Sequence, residues 1–378
     1  MFSQKSALFG QKRKSYKKYW LILLLPLGWV INALSRGNSL WTEKYYSGGI
    51  YKGISWLIGR MLGWIPFSVG EMLVAALLLI VLWRLAVLIR GMIRDRRGRW
   101  IRLRDFVLNV LLAVSLIYSL FLVLWGFNYN RLSFSEIAGL EIQPSSTEEL
   151  VQMSQKLVKD ANTLRKDVSE NPSGVMIPFG GAEGGFRRCY RGYEAASRYV
   201  PELKGVRSRP KPLLFSPVIA YTHIWGIYCP FTVESNVNMK IPAPMILSTM
   251  MHETAHQLGF AREDEANYIA YLTCSLHPDA DFQYAGALFA LDYTLDTVYG
   301  LDKKAYRDLY SGLNQGVRRD LAENSKYQEK YDGPIRRASS RSNDLYLKAN
   351  HQEDGERSYG RMVDLLLAQY RYEKGKLR

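Results

Sequence analysis

The sequence predicts a membrane-anchored α+β protein, in which three helices that cross a bilayer precede one larger domain built around a metal site. Three observations predict it. The first 130 residues hold three long apolar stretches, most of the net positive charge lies in two segments beside them, and the second half contains His252-Glu253-Thr254-Ala255-His256.

The apolar stretches come first. Residues 20–34 are free of charge and extend through Tyr19. Residues 72–92 are interrupted only by Arg84 and Arg90, whose long side chains can reach an interface. Residues 106–127 are again charge-free and match the roughly 20 residues that a bilayer core requires. Buried core helices would need polar sequence around them, and this part of the chain has almost none. The spans are therefore expected at about 19–35, 71–92 and 106–127, after a basic tail at 1–18.

Charge sets the expected orientation. Residues 1–18 carry six Lys/Arg and no acid, and residues 84–105 carry eight Arg against two Asp. Together they supply twelve of the net fifteen positive charges. By the positive-inside rule both segments are cytoplasmic, so everything from Asn128 onward lies outside the cytoplasmic membrane. A first span cleaved as a signal peptide would give the same result. The basic balance thus points to anionic membrane lipid as a partner and not to nucleic acid, since the chain after Arg131 is close to neutral. Residues 50–67 are apolar but broken by Lys52, Gly53, Gly59 and Arg60, and are expected to lie on the outer surface as an amphipathic stretch.

The remainder, 128–378, suffices for one domain with its own core. On a helix, His252 and His256 share a face and can close on one metal ion. Glu253 sits about 100° round that helix, where its carboxylate can reach a water on the metal. The apolar run Ile246 to Met251, with Ala255 and Leu258, supplies the buried face, and Gly259 suits the helix end. Two imidazoles and a carboxylate on a core helix would cost several kcal/mol in desolvation without an ion to compensate them. A catalytic zinc takes three protein ligands and leaves a position open. Glu263 and Glu265 are the candidates for the third. Glu263 shares a helical face with Asn267, which could hold a histidine from behind, while Glu265 points elsewhere.

These residues resemble the gluzincin pattern, in which Glu-x-x-Ala-Asp or Glu-x-x-Ala-Asn carries the third ligand and its outer partner. The resemblance implies zinc (Zn2+) held by His252, His256 and Glu263, with Asn267 behind, in a zincin-like extracytoplasmic metallopeptidase domain. The six residues between His256 and Glu263 are fewer than gluzincins commonly have. They resemble the metzincin spacing more closely, but the position of the metzincin third histidine is Arg262, which cannot bind zinc. Over nearly its full length the chain is similar to DUF3810, a family of uncharacterised bacterial membrane proteins. That similarity rests on Trp125-Gly-Phe-Asn-Tyr-Asn-Arg131, on Gly226-Ile-Tyr-Cys-Pro-Phe-Thr232, on residues 252–272, and more weakly on Tyr346 to Asn350 and Tyr359-Gly360.

Elsewhere in this domain, residues 147–167, 266–276, 284–299, 305–321 and 358–372 read as helices, and 212–238 as two or three short strands. The resemblance to zinc peptidases implies an edge strand beside the metal helix to which extended peptide adds, expected here at 226–238. The glycine-rich run 178–186 lacks the Lys-Ser/Thr ending of a phosphate loop and reads as a flexible loop shaping a cleft. Residues 333–354 read as loop or short helix. His223, among Tyr221, Ile224 and Trp225, reads as packed rather than ligating. Cys189, Cys229 and Cys274 have no ligand spacing; a Cys189–Cys229 bridge is possible, but buried thiols fit better. Tyr228, Tyr346, His351 and Tyr359 are candidates for stabilising an oxyanion.

The expected function is zinc-dependent hydrolysis of a peptide or protein substrate outside the membrane, with Glu253 as general base. The alternative is a non-catalytic, zinc-stabilised envelope receptor or scaffold, which would keep the ligands but have no need of Glu253.

Overall fold

The computed structural model describes residues 16–206, 208–350, 352 and 355–376. It is mostly helical with one small sheet, and divides into two compact units, Met1–Gly37 with Ala76–Val123 and Asn38–Ala75 with Leu124–Arg378. Of the basic tail, only residues 16–18 are described.

Among the described residues, three helices are long and apolar enough to cross a membrane. They are α1 (Lys17–Arg36) and, after an intervening α2 (Tyr51–Leu62), α3 (Val69–Arg94) and α4 (Arg99–Leu124). Each exceeds its apolar run at an arginine-bearing end, because guanidinium groups can reach water from a helix that is still apolar elsewhere. α4 ends at Leu124 and not at 127, since Trp125 leaves helical geometry at φ −161°. In the first unit α1 and α4 pack closely at Gly28. A Cβ there would lie 3.1 Å from Leu122 Cδ1 and 3.4 Å from Tyr118 Cε1, the small-residue contact that apolar helices use to approach. Ser115 Oγ donates to Leu21 O at 2.8 Å across the same pair.

The second unit is assembled from α5 (Thr147–Leu164), α6 (Gly181–Ala196), α7 (Ala243–Gln257), α8 (Glu263–Ser275), α9 (Ala280–Leu301), α10 (Lys303–Ser311), α11 (Gln315–Lys330), α12 (Pro334–Ala349) and α13 (Met362–Lys376). Local chemistry starts several of them. Ser146 Oγ accepts from Glu149 N–H at the head of α5, where Glu148 and Glu149 face the helix dipole. α5 then buries Leu150, Met153, Leu157 and Ala161 against α9, which also packs on α7 and α8. α7 is buried on all sides from Pro244 to Gln257 except at His252, as an apolar helix in the middle of a domain must be.

Three strands form the sheet, β1 (Lys211–Pro212), β2 (Gly226–Cys229) and β3 (Glu234–Val237), in the order β1-β3-β2. β2 runs antiparallel to β3 with Gly226 opposite Val237 and Cys229 opposite Glu234, which leaves β2 at the edge. β3 lies against α7, where Ser235 Oγ donates to Glu253 O at 2.9 Å.

Residues 38–75, between the first two spans, belong to this same unit. Arg131, buried, takes both carboxylate oxygens of Glu43 at 2.7 and 2.8 Å. Ser47 Oγ donates to Asn128 Oδ1 at 2.8 Å. Lys211 pairs with Glu234, donates to Leu62 O at 3.0 Å, and leaves Glu234 to accept the N–H groups of Val69 and Gly70 at the head of α3.

Three expectations need correction. The glycine-rich run is no cleft loop, because Gly180 at φ +69° turns the chain into α6. Its Gly185 then lets α6 approach α7, where a Cβ would sit 2.7 Å from Leu247 Cδ2. The run 333–354 contains a 16-residue helix, α12, started by Pro334 and supported by an Asp344–Lys348 pair. The helix expected at 305–321 is broken at residues 312–314, where Asn314 caps α11 by accepting from Val317 N–H.

Candidate metal centre

The backbone first fixes the distance between the two ligand helices. α7 ends at Gln257, and Gly259 at φ +86° reverses the chain in a left-handed turn. No larger residue fits, since a Cβ would approach the Tyr51 ring at 2.9 Å and Asn128 Oδ1 at 3.0 Å. α8 begins four residues later at Glu263, whose backbone N–H donates to Gln352 Oε1 at 3.1 Å. The last carbonyls of α7 are orphans of the helix ladder and find side-chain donors. Trp125 Nε1 donates to His256 O at 3.2 Å and Tyr51 OH to Gln257 O at 2.9 Å.

This turn brings His252, His256 and Glu263 together as a group able to hold a metal ion. His252 Nε2 lies 3.1 Å from His256 Nε2 and 3.2 Å from Glu263 Oε2, and His256 Nε2 lies 3.5 Å from the same oxygen. Tetrahedral ligation at about 2.0–2.1 Å spaces its ligand atoms about 3.3–3.4 Å apart, so the triangle has the size such an ion demands. The far sides of the rings agree. His256 Nδ1 donates to Phe260 O at 2.7 Å, a carbonyl that can only accept. Asn267 Nδ2 donates to Tyr359 O at 3.2 Å, which turns its Oδ1 to the Nδ1–H of His252 at 2.8 Å. When neutral, both imidazoles therefore carry their proton on Nδ1 and turn the Nε2 lone pair to the centre of the triangle.

Glu265, the other candidate for third ligand, is turned away. Its Oε1 accepts from Phe134 N–H at 2.9 Å and from Arg262 at 3.2 Å. Electrostatics separates the two acids as well. Burial pushes both up, and for Glu265 it prevails, to about 7. At Glu263 the imidazoles of His256 and His252 overcome burial and hold the carboxyl far below its usual range.

Burial depresses His256, but Glu263 outweighs it and raises the imidazole to about 9. Below that pH an entering ion must displace a proton, because a ligating imidazole has to be neutral. Metal affinity is thus expected to climb about tenfold per pH unit between pH 6 and 8, a rise that levels off above about 9. Chelator competition, corrected for the chelator's own protons, measures it. A flat profile would mean that His256 is neutral without the ion.

Glu253 stands beside the group, 5% exposed. Burial lifts its carboxyl to about 7 against the opposing pull of His252 and His256, and the Tyr228 backbone N–H lies within its reach. Gly226 on β2 is pressed so closely onto this carboxylate that an added Cβ would overlap it.

All four residues line a cleft of about 570 Å3. β2 and the residues before it form one wall, from Thr222 to Tyr228. α12 forms another and turns Arg336, Ser339, Ser340, Asn343 and Tyr346 inward at helical spacing. Of the oxyanion candidates, Tyr346 and Tyr359 line the cleft, and His351 lies outside the described residues. Tyr228 lines it too, but its hydroxyl meets that of Tyr51 at 3.0 Å. His223 is in the wall at φ +57°, its ring tilted 40° to that of Tyr327 and apart from the metal group. The three cysteines are free thiols.

Sequence reasoning missed Trp125, Tyr129, Tyr293 and, apart from Tyr346, the inner face of α12. Tyr129 OH donates to Tyr346 OH at 3.0 Å, and Tyr293 OH accepts from Asn267 at 3.2 Å. A signal for the first two was present, in the run from Trp125 to Arg131 after the last span. A family model described as "Protein of unknown function (DUF3810)" matches residues 46–367. No curated protein and no solved structure matches the chain.

Proposed function

The chain belongs to the DUF3810 family, and from that starting point we propose that it is a membrane-anchored, zinc-dependent peptidase with a zincin-like catalytic unit. One observation carries the reading. Three potential ligand atoms 3.1–3.5 Å apart share a cleft with a buried carboxylate that stands outside their triangle. Two imidazoles and one carboxylate favour zinc over magnesium or calcium, which prefer all-oxygen sites.

A zinc ion in such a site would supply Lewis acidity, acidifying a water and polarising a carbonyl oxygen. Glu253 takes the proton of the attacking water and returns it to the leaving amine, and its position near neutrality suits both halves of that task. Asn267 and Phe260 O hold the imidazoles in their ligating orientation. β2, at the edge of the sheet, is where an extended substrate chain would add beside Glu253. Tyr346 and Tyr359 line the same space and are the candidates for donating to a developing oxyanion.

The basic segments at 1–18 and 84–105 favour a catalytic unit outside the cytoplasmic membrane. A reporter after Arg378 should be exposed outside and one near Gly98 inside; both on one side would refute this orientation. Hydrolysis is tested by digesting a peptide library with the full chain, zinc-loaded, against Glu253→Gln. The full chain is needed because residues 38–75 are part of the unit that holds the site. If neither protein cleaves anything, a zinc-stabilised receptor or scaffold becomes the better reading.

A further inference from the structure

α2 has the polarity of a soluble surface helix turned inside out. Its buried residues are Tyr51, Ser55 and Gly59, four apart, while Trp56, Leu57 and Met61 face outward. The chain beyond continues the pattern with Trp64, 77% exposed, and Phe67. A soluble domain loses free energy by showing water a contiguous surface of this kind.

A second apolar segment adjoins it. Residues 212–233 contain no Lys, Arg, Asp or Glu, a run of 22 residues outside any span. Leu214, Phe215 and Val218 of this run are exposed, Val218 by 67%. Two sets of hydrogen bonds fasten it beside α2 and the head of α3. Glu71, in the first turn of α3, accepts from the backbone N–H groups of Leu214 and Phe215 at 2.7 and 2.9 Å. Lys211 holds Leu62 O at the end of α2. Four residues past Val218 the same run becomes the cleft wall, from Thr222 to Tyr228.

We propose that this surface is a lipid-binding rim, with Trp56, Met61, Trp64, Leu214, Phe215 and Val218 sunk into the interfacial layer of a phospholipid bilayer. The occupant is lipid and not a protein for two reasons. Phe67 precedes α3 by only one residue, Ser68, so the chain of the rim leads directly into a helix long and apolar enough to cross a membrane. The charged side chains on α2, Lys52 and Arg60, are long enough to reach headgroups while their stems lie along apolar surface. Tryptophan is also the side chain that interfacial layers favour. The edge strand β2 is then presented close to the headgroups, which suits polypeptide substrates lying at or emerging from the membrane surface. That last consequence rests on the peptidase reading; the lipid contact does not.

The test uses the full chain in phosphatidylethanolamine–phosphatidylglycerol vesicles with a nitroxide on a single introduced cysteine. Cys229→Ser removes the one accessible native thiol, while Cys189 and Cys274 are buried. Trp64→Cys, Phe215→Cys and Val218→Cys are compared with Tyr199→Cys, an exposed position on α6's C-terminal side. Labels at 64, 215 and 218 are expected to relax more with oxygen, which concentrates in lipid, than with a water-soluble nickel chelate. The label at 199 should show the reverse. Chelate accessibility at 218 equal to that at 199 would overturn the proposal. So would shielding of 218 from both reagents, which would mean that another protein surface covers it. Because these positions are at the surface, each variant should retain parental metal stoichiometry. A peptidase-dead result for the parent leaves the depth measurement unaffected, so the two readings fail separately.

Discussion

Glu253→Gln is expected to bind zinc at the parental stoichiometry and to lose hydrolysis by about 100- to 10,000-fold, the usual worth of a general base. His252 and His256, four apart, already define the ion-facing side of α7, and the third position of the triangle is taken by Glu263 Oε2. Glu253 is therefore adjacent to the ion's position without being needed to hold it. Glutamine keeps the shape that the close contact with Gly226 requires and retains one acceptor oxygen for the Tyr228 N–H. It cannot accept a proton. Thermal unfolding with and without metal separates the possibilities. A variant that folds but no longer binds zinc would make Glu253 a ligand, and one that cleaves at the parental rate would move the base elsewhere.

The site was partly legible because its core is local. His252 and His256 are one helical turn apart, and Glu263 and Asn267 are one turn apart on the next helix, so periodicity alone pairs each set. The face that Glu263 shares with Asn267 already favours it over Glu265; what needed the fold was where Glu265 goes, which the hydrogen bond from Phe134 N–H shows. The rest of the cleft is non-local. Trp125 meets His256 across 131 residues and Tyr51 meets Gln257 across 206, and no pattern in one sequence reports such pairings.

Two elements escaped for a different physical reason, which is that hydrophobic periodicity assumes a dry core on one side and water on the other. α12 faces a polar cleft with Arg336, Ser339, Ser340 and Asn343, so it has no apolar stripe to detect. α2 hides tyrosine, serine and glycine and shows its apolar side. Its amphipathic character was readable, but not that the polar-looking face is the one packed against protein. The glycine-rich run misled in the same way. Gly185 and Gly192, seven apart, are a helix-packing face against α7 and α8, where Gly192 adjoins Met251 and Thr273.

Glu263→Ala is expected to abolish stoichiometric zinc binding at micromolar metal, while Glu265→Ala keeps the ion and loses stability. Removing Glu263 leaves two imidazoles on one helix and takes away the only anionic ligand of the group, so both affinity and the closed three-ligand geometry fail. The empty site should tolerate the change better than the loaded one. At pH 7 the parent keeps an ion pair between Glu263 and protonated His256, whereas in the variant burial is left free to depress the imidazole. Glu265→Ala acts elsewhere. It strips the buried Phe134 N–H of its acceptor, a loss of about 1–3 kcal/mol, and takes a partner from Arg262, which water still reaches. Isothermal titration with zinc and chemical denaturation of the zinc-free proteins therefore give opposite rankings of the two variants. Parental affinity in Glu263→Ala would remove it from the ligand set, and loss of zinc in Glu265→Ala alone would transfer the role, requiring α8 to rotate from the position in which Asn267 holds His252.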